Sequence, residues 1–214
     1  MTLGATEPLQ LEEQLFLQRL LASHVMDHST ARKVFQGDDL DASLPVMNRQ
    51  LTKGFGLEVA TVVMEKTKYH AIINTHADDV AKLSEHFNAH ERGLIQLIFQ
   101  CLVDNHSKNN NGNDKNDGDE SGDDGGPQPR SKLINLRGDL EEPLKLTLAG
   151  AEHVVEMLLE EQWLRVAAKE ENRRESMQAG LELSPRTYLE LSHLLVDMGM
   201  DQETMPQFLF HRVQ

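Results

Sequence analysis

The sequence contains a single cysteine, Cys101, and few aromatic residues. One thiol cannot form an intramolecular disulfide, and it cannot supply the several cysteines of a multi-cysteine zinc site. We therefore expect no metal and no cofactor in this chain, with Cys101 packed as a small apolar side chain on a helix. Aromatic residues make up only 5% of the chain, so aliphatic residues and nine Met must build the core. That composition favours helices over aromatic-rich sheets.

Long apolar runs and an excess of positive charge are also missing. No stretch approaches the ~20 apolar residues of a transmembrane helix, and the N-terminus lacks the basic-then-apolar pattern of a secretory signal. We expect a soluble intracellular chain with no membrane partner. The formal net charge is −14, whereas proteins that bind a phosphate backbone tightly are normally basic. The charge therefore predicts weak or shared DNA contact rather than strong binding by this chain alone.

One segment, His106–Arg130, has no aliphatic or aromatic residue and is rich in Asn, Asp and Gly. Such a segment cannot bury enough apolar surface to offset the entropy lost on ordering. We predict a disordered acidic loop over residues 106–130, inserted at the surface. No Glu stands at the closing position of a calcium-binding loop, so the sequence does not predict a calcium site there.

Before this loop, the patterning predicts three helices followed by a hairpin. The helices are expected over Leu9–Ala22, over "TARKVF" with Ser29 as its cap, and over Leu44–Lys53 with a stop at Gly54. The stretch "LEVATVVMEK" alternates like a half-buried strand, and "YHAIIN" is its expected partner after a polar turn at Lys66–Lys68. The residues expected on one face of the first strand are Leu57, Val59, Thr61 and Val63. Three helices and a two-stranded wing are typical of a winged helix.

The same order recurs after the wing. Asn88 and Glu91 have the spacing of a capping box, which predicts a helix from there to Val103. Beyond the acidic loop come a short apolar stretch, "KLINL", a helix capped by Thr147 that runs to about Gln162, and two wing strands, "WLRVAA" and "GLELS". Ser184 and Pro185 begin a closing helix that ends at Gly199. The predicted fold is mainly α with small β wings (α+β), arranged as tandem winged-helix domains over residues 1–76 and 77–214.

Residues that could carry catalysis are scarce. His24 and His28, and His86 and His90, are spaced four apart, but neither pair has the pattern of a metalloprotease helix. Glu160 and Glu161 are neighbours and point apart on a helix. The sequence contains no phosphate-binding loop and no recognisable nucleophile motif. We predict no catalytic residue and no metal-binding residue in this chain.

Winged helices often contact DNA through the third helix and the wing. In the first repeat, the candidates for DNA contact are Arg32, Lys33, Arg49, Lys53, Lys66 and Lys68. In the second repeat, the corresponding helix carries Glu152, Glu156, Glu160 and Glu161 and has no Lys or Arg. We expect any DNA contact to involve the first repeat.

The first helix has more apolar residues than one buried face requires. Leu11, Leu15, Phe16, Leu17, Leu20 and Leu21 lie almost all round it, although a surface helix needs an apolar stripe little more than ~100° wide. Either the two repeats pack on each other or a partner subunit covers the remainder. The residues predicted to bind a partner are Leu11, Leu15, Leu17 and Leu21, with Leu17 and Leu21 as the outward pair and Phe16 and Leu20 as the inward pair.

Several stretches resemble a known family, the non-SMC element one subunit of the SMC five–six complex. They are "FLQRLLASHVM", "YHAIINTHADDVAKLSEHFNAHERGLIQLIFQCLVDN", "VVEMLLEEQWLRVA" and "LELSPRTYLELSHLL". The resemblance covers nearly the whole chain apart from the acidic loop.

The resemblance implies a nuclear scaffold subunit of a chromosome-maintenance and DNA-repair complex. Its expected partners are a MAGE-type winged-helix subunit, a kleisin subunit and the larger SMC complex. Family members continue into a RING-like zinc domain with ubiquitin ligase activity, and the expected zinc belongs to that domain. This sequence ends at "MPQFLFHRVQ" without its cysteines, so ligase activity is implied only for a protein that contains the zinc domain. The alternative from another functional class is a stand-alone winged-helix DNA-binding regulator.

Overall fold

The structure is a computed structural model that describes residues 8–37, 39–76, 82–83, 87–111, 126–167 and 176–209, with side chains described up to residue 107 in the helix that ends at 111. The chain divides into two compact units. The first unit comprises Met1–Ala77 and Pro206–Gln214, and the second comprises Asp78–Met205. The C-terminal segment thus groups with the first unit, whereas the sequence analysis had assigned it to a second domain at 77–214.

The first unit has the element order of a winged helix. Its helices are α1 (Leu11–Ser23), α2 (His28–Val34) and α3 (Leu40–Phe55), and its strands are β1 (Val25–Asp27), β2 (Leu57–Met64) and β3 (Thr67–Asn74). The short strand β1 lies between α1 and α2 and pairs with β3, while β2 and β3 form the wing hairpin. The predicted three helices and wing are therefore confirmed.

The start of α2 differs from the prediction in the residue that caps it. Asp27, and not Ser29, is the N-cap, and its carboxylate accepts a hydrogen bond from the backbone N–H of Thr30. The Ser29 and Thr30 hydroxyls donate to the same carboxylate. Burial raises the pKa of Asp27, but these hydrogen bonds outweigh it and lower the pKa to about 2. Asp27 caps better than Ser29 because its charge also favours the positive end of the helix dipole.

Helix α3 is longer at both ends than the predicted Leu44–Lys53. Asp39 caps it by accepting from the Ala42 N–H, and Pro45, in the second turn, has no N–H to donate to the carbonyl of Asp41. The helix continues past Gly54 and ends at Gly56, which has φ of +64°. The left-handed conformation required of the terminating residue is available to Gly56 without a Cβ penalty.

Strand β2 is buried on both of its faces, so the predicted half-buried alternation is wrong. Val59 and Thr61 lie on one face and are buried, but Glu58, Ala60 and Val62 on the other face are buried as well. At the free edge of the hairpin, β2 pairs with a third strand, β7 (Gln207–Leu209), in the order β1-β3-β2-β7. The hairpin itself turns at Glu65 and Lys66, which both adopt positive φ.

The second unit repeats the winged-helix order. Its elements are α4 (Ala89–Asn111), β4 (Gln128–Pro129), α5 (Arg130–Asn135), a 3-10 turn (Leu136–Asp139), α6 (Leu148–Glu160), β5 (Leu164–Val166), β6 (Gly180–Leu183), α7 (Pro185–Glu190) and α8 (Ser192–Asp197). The strand order β4-β6-β5 matches the β1-β3-β2 order of the first unit. Topology therefore confirms the tandem winged-helix prediction.

Local caps in the second unit follow the sequence closely. The Asn88 side chain accepts from the Glu91 N–H while the Glu91 carboxylate accepts from the Asn88 N–H, which is a complete capping box. Thr147 and Ser184 cap α6 and α7 as predicted. The expected single closing helix is instead two, α7 and α8, because Leu191 leaves the helical conformation between them.

The two ends of the predicted acidic loop are ordered, so the boundaries 106–130 are wrong. Helix α4 continues to Asn111, and Gln128 pairs with Leu181 of β6. Arg130 begins α5, is almost completely buried and pairs with Glu156. Residues 112–125 lie outside the described residues. The polar side chains of Gln128 and Arg130 pair with other groups in the fold. Amino-acid composition alone could not predict this pairing.

We expect Gly56→Ala to lower the free energy of unfolding by about 1–2 kcal/mol, because a Cβ in the left-handed conformation is strained. A Cβ at Gly56 would also lie 2.0 Å from Cδ2 of His76, so the imidazole would have to move. Gly54→Ala is the matched control, since nothing lies within 4 Å of its Cβ position. It should raise stability by up to about 1 kcal/mol through helix propensity. Urea unfolding of both variants checks the opposite signs, and equal effects would contradict this account of the helix end.

Replacing residues 112–125 by a short Gly/Ser linker should leave the melting temperature within a few degrees. The replaced segment is acidic and has no apolar side chain, and halving a flexible loop changes closure entropy by only about 0.6 kcal/mol. Extending the replacement through Arg130 removes β4 and the buried Arg130–Glu156 pair. Thermal melts should show a much larger loss for that longer replacement, and similar melts for the two would contradict the assigned boundary.

Candidate interaction surfaces

Helix α1 divides sharply into a buried and an exposed face. Phe16 and Leu20 have no exposed surface, and the Phe16 ring packs edge-on against Phe35 with centroids 6.0 Å apart. On the opposite side, Leu11, Leu15 and Leu21 are 65%, 41% and 53% exposed. A small core covers one side of a helix, so the three leucines remain at the surface.

Leu17 does not belong to the outward pair predicted for partner binding. It is only 7% exposed and lies in the core cluster with Phe16 and Leu20. Leu17 and Leu21 are separated by about 40° on a helical wheel, and the edge of the buried face passes between them. Sequence spacing showed that the two are neighbours but could not show on which side of that edge each would lie.

The exposed face of α1 is mostly apolar, with one positive charge at its edge: Arg19 is exposed and follows Leu15 by one helical turn. Between its leucines lie Gln14, Gln18 and Ala22, which are also exposed. The two glutamates of the first turn lie elsewhere, since Glu12 is half-buried and Glu13 is buried. The carboxylate of Glu13 accepts a hydrogen bond of 2.8 Å from the backbone N–H of Gln10. In a chain of net charge −14, this face offers leucine side chains, neutral amides and the single positive charge of Arg19 to a partner.

The predicted DNA-contact residues lie on three elements of the first unit. Arg49 and Lys53 are exposed one turn apart on the outer face of α3, beside the exposed Val46. Arg32 and Lys33 are exposed in the last turn of α2.

The two wing lysines are not equivalent. Lys66 is exposed at the hairpin turn. The Nζ atom of Lys68 lies 3.7 Å from a carboxylate oxygen of Asp41, so its charge is partly offset within the chain. The Lys68–Asp41 pair joins residues far apart in sequence, and spacing did not reveal it.

Helix α6 occupies the corresponding position in the second unit and is acidic. Glu156 and Glu160 are exposed and Glu152 is half-buried, and no Lys or Arg stands on this helix. Glu156 binds Arg130. The wing residues 168–175 lie outside the described residues. An acidic outer face repels phosphate, so this helix is poorly suited to contact DNA. That any DNA contact involves the first unit stays a prediction.

A buried charged cluster lies at the end of α6 and was missed in the sequence. The Arg186 guanidinium lies 4.0 Å from the centroid of the Trp163 ring and 2.7 Å from Glu190, and it contacts Glu161 at 3.3 Å. Removing one partner from such a buried pair leaves an uncompensated charge. The cluster fixes the start of α7 against the α6–β5 corner, which is a structural role.

The first of the two histidine pairs noted in the sequence does not lie on one helix. His24 ends α1 and His28 begins α2, while His28 contacts His70 instead. His86 lies outside the described residues, and His90 is exposed. Cys101 is half-buried and receives an Asn105 amide contact at 3.7 Å, so it is less buried than expected.

Within the part of the chain that the structure describes, no cluster of three or more His, Cys, Asp or Glu could hold a metal ion. No described helix combines the length and apolarity needed to cross a membrane.

No family model and no curated protein matches the sequence. Among solved structures, the chain is similar to one chain of a structure described as the "Nse1-Nse3-Nse4 complex", with a TM-score of 0.64 and 19% sequence identity. The alignment covers 88% of this chain and 74% of that chain. At this identity the likeness shows a common fold that extends across both winged-helix units.

Proposed function

We propose that this chain is an interaction subunit of an SMC five–six complex, in the position of the non-SMC element one subunit. It binds a MAGE-type winged-helix subunit and, with that partner, a kleisin subunit, and it acts in the nucleus in chromosome maintenance and DNA repair. The observation that carries the proposal is the exposed leucine face of α1, in a fold common to a chain of the Nse1-Nse3-Nse4 complex.

The energetics of α1 favour a protein partner. Complete burial of a leucine side chain is worth about 1.5–3 kcal/mol, and Leu11, Leu15 and Leu21 retain roughly half of their surface. A stable interface buries at least about 1,000 Å², which exceeds what three leucines provide. The interface therefore extends beyond α1, with these leucines as apolar anchors near its centre.

A stand-alone DNA-binding regulator is the alternative function, and charge weighs against it. One of the two helices in the DNA-reading position is acidic, and the whole chain carries −14. The basic residues of α3 and the wing support a smaller role, in which the first unit adds phosphate contacts to those of other subunits.

Ubiquitin ligase activity remains a proposal for a protein that also contains the RING-like zinc domain. Such domains hold zinc through several Cys and His ligands, and this chain has one cysteine. We assign no ligase role to any residue of this chain.

Replacing Leu15 and Leu21 together by Glu should abolish binding of the MAGE-type subunit while the melting temperature changes little. Both side chains are exposed, so the charges remain solvated in the free chain, whereas docking would bury them. Loss of two central anchors should cost at least ~2 kcal/mol, or about thirtyfold in Kd. Calorimetric titration and thermal melts measure the two effects separately.

Two further variants make this test decisive. Leu17→Glu should unfold the first unit, because Leu17 lies in the core. Leu148→Glu adds charge at an equally exposed leucine of the second unit and should bind like the wild type. Undiminished binding by the Leu15/Leu21 variant would contradict the proposed interface.

Reversing Arg49 and Lys53 to Glu should weaken duplex binding by the assembled complex at low salt. Loss of two phosphate contacts should also reduce the slope of log K against log salt by about 2. Reversal of Lys132 and Lys145 makes the same charge change at exposed positions of the second unit and should have little effect. Filter-binding titrations over a range of salt measure all three proteins. Tight duplex binding by the isolated chain at physiological salt would favour the regulator instead.

A further inference from the structure

Two histidines from distant positions meet inside the first unit. His70 lies in β3 with no exposed surface, and His28 is the half-buried first residue of α2. Nδ1 of His28 lies 3.0 Å from Nε2 of His70, with the ring centroids 5.2 Å apart. The other ring nitrogen of His70, Nδ1, lies 2.8 Å from Oγ1 of Thr61. Both nitrogens of the buried imidazole are therefore hydrogen-bonded.

The pair has a limited capacity for protons. A hydrogen bond between two imidazole nitrogens requires that one donates and the other accepts. This is satisfied when both rings are neutral and also when one ring carries an added proton. With both rings cationic, the facing nitrogens, 3.0 Å apart, both carry hydrogen and neither accepts, and the two like charges repel in a partly buried site.

We propose that His28 and His70 form a proton-sensitive latch. The two rings stay hydrogen-bonded when the pair carries no added proton or one, and they separate when it takes up a second. The latch joins α2 to the sheet at a weak point of the fold. Strand β1 is an edge strand of three residues, Val25–Asp27, and His28 follows it directly. Opening therefore frees residues 25–28 from β3 and exposes Met26, which is buried in the core cluster with Phe16 and Leu20.

Three of the five charged groups around the latch have structural partners of their own, whereas Oε1 of Glu58 is buried without a hydrogen-bond partner among the described residues. Helix α2 packs against α1, β1 and β3, and β3 also packs against β2. The buried or adjacent charged groups on these elements are Glu13 on α1, Asp27 on β1, Arg32 on α2, Glu58 on β2 and Lys68 on β3. Glu13 and Asp27 accept hydrogen bonds near their own helix starts, and Lys68 pairs with Asp41 of α3. Glu58 belongs to the opposite face of β2 from Thr61, and Arg32 adds positive charge one turn after His28.

The sign of the pH dependence follows from the proton count. In the unfolded chain, both histidines accept a proton near the ordinary imidazole pKa of about 6.5. The latched fold binds one proton fewer, so stability falls as the pH falls below that value. The unfolding equilibrium constant should rise by up to tenfold per pH unit for the single excluded proton.

The test is urea unfolding of the whole chain between pH 7.5 and pH 5.5, with two single variants. His28→Gln keeps a hydrogen-bonding group beside His70 but removes one titrating ring. Acidification from pH 7.5 to pH 5.5 should therefore raise the unfolding equilibrium constant of this variant about tenfold less than that of the wild type. His90→Gln removes an exposed histidine and should retain the wild-type pH dependence. Equal pH dependence in the wild type and His28→Gln would overturn the latch.

A second measurement covers the case in which His28→Gln folds poorly. Imidazole nitrogen shifts of the wild-type chain, followed by NMR between pH 7.5 and pH 5.5, report how many protons the pair accepts, and amide exchange reports opening at residues 25–28. We expect one proton to be accepted without faster exchange, and any further uptake to coincide with faster exchange. Two protons accepted with unchanged exchange would contradict the proposal. Neither readout depends on a partner, so the latch can fail independently of the proposed function.

Discussion

A small hydrophobic core can cover only one face of a helix, and the rest of this structure depends on that constraint. In the first unit the core gathers around Phe16, Leu20 and Leu44, which are fully buried, and among the described residues of this unit no further layer covers the outer side of α1. Because one helix face suffices to close such a core, every further leucine on α1 is available for another purpose. The buried face of α1 packs into the core and stabilises the fold. The three exposed leucines form the surface that we propose binds a partner.

Sequence predicted the elements whose cause is local. The Asn88–Glu91 capping box, the Thr147 and Ser184 caps and the wing hairpin of the first unit depend on residues within a few positions of one another, and each is present. Where two neighbouring residues could both cap a helix, the sequence pattern alone could not predict which of them does so. Asp27 caps α2 in place of Ser29, because a carboxylate accepts several hydrogen bonds and also interacts with the helix dipole.

The misjudged features depend on residues distant in sequence. The pairing of β7 with β2 joins the C-terminal segment to the first unit, and no local pattern predicts it. The assignment of Leu17 to the outward face failed for a similar reason, since a helical wheel defines neighbours but not the orientation of the helix against its core. Composition placed Arg130 in a polar loop. In the structure Arg130 is buried because it pairs with Glu156 and because α5 packs against α6.

The two units show how one fold carries two different electrostatic surfaces. Their strand orders match, yet α3 presents Arg49 and Lys53 where α6 presents Glu156 and Glu160. The buried positions are all apolar in α6 and, apart from Asn48, in α3, so the outer face can change sign without a cost to packing. Part of the acidity of α6 is already offset within the chain by Arg130, which binds Glu156. The outer face of α6 therefore disfavours phosphate, whereas that of α3 favours it.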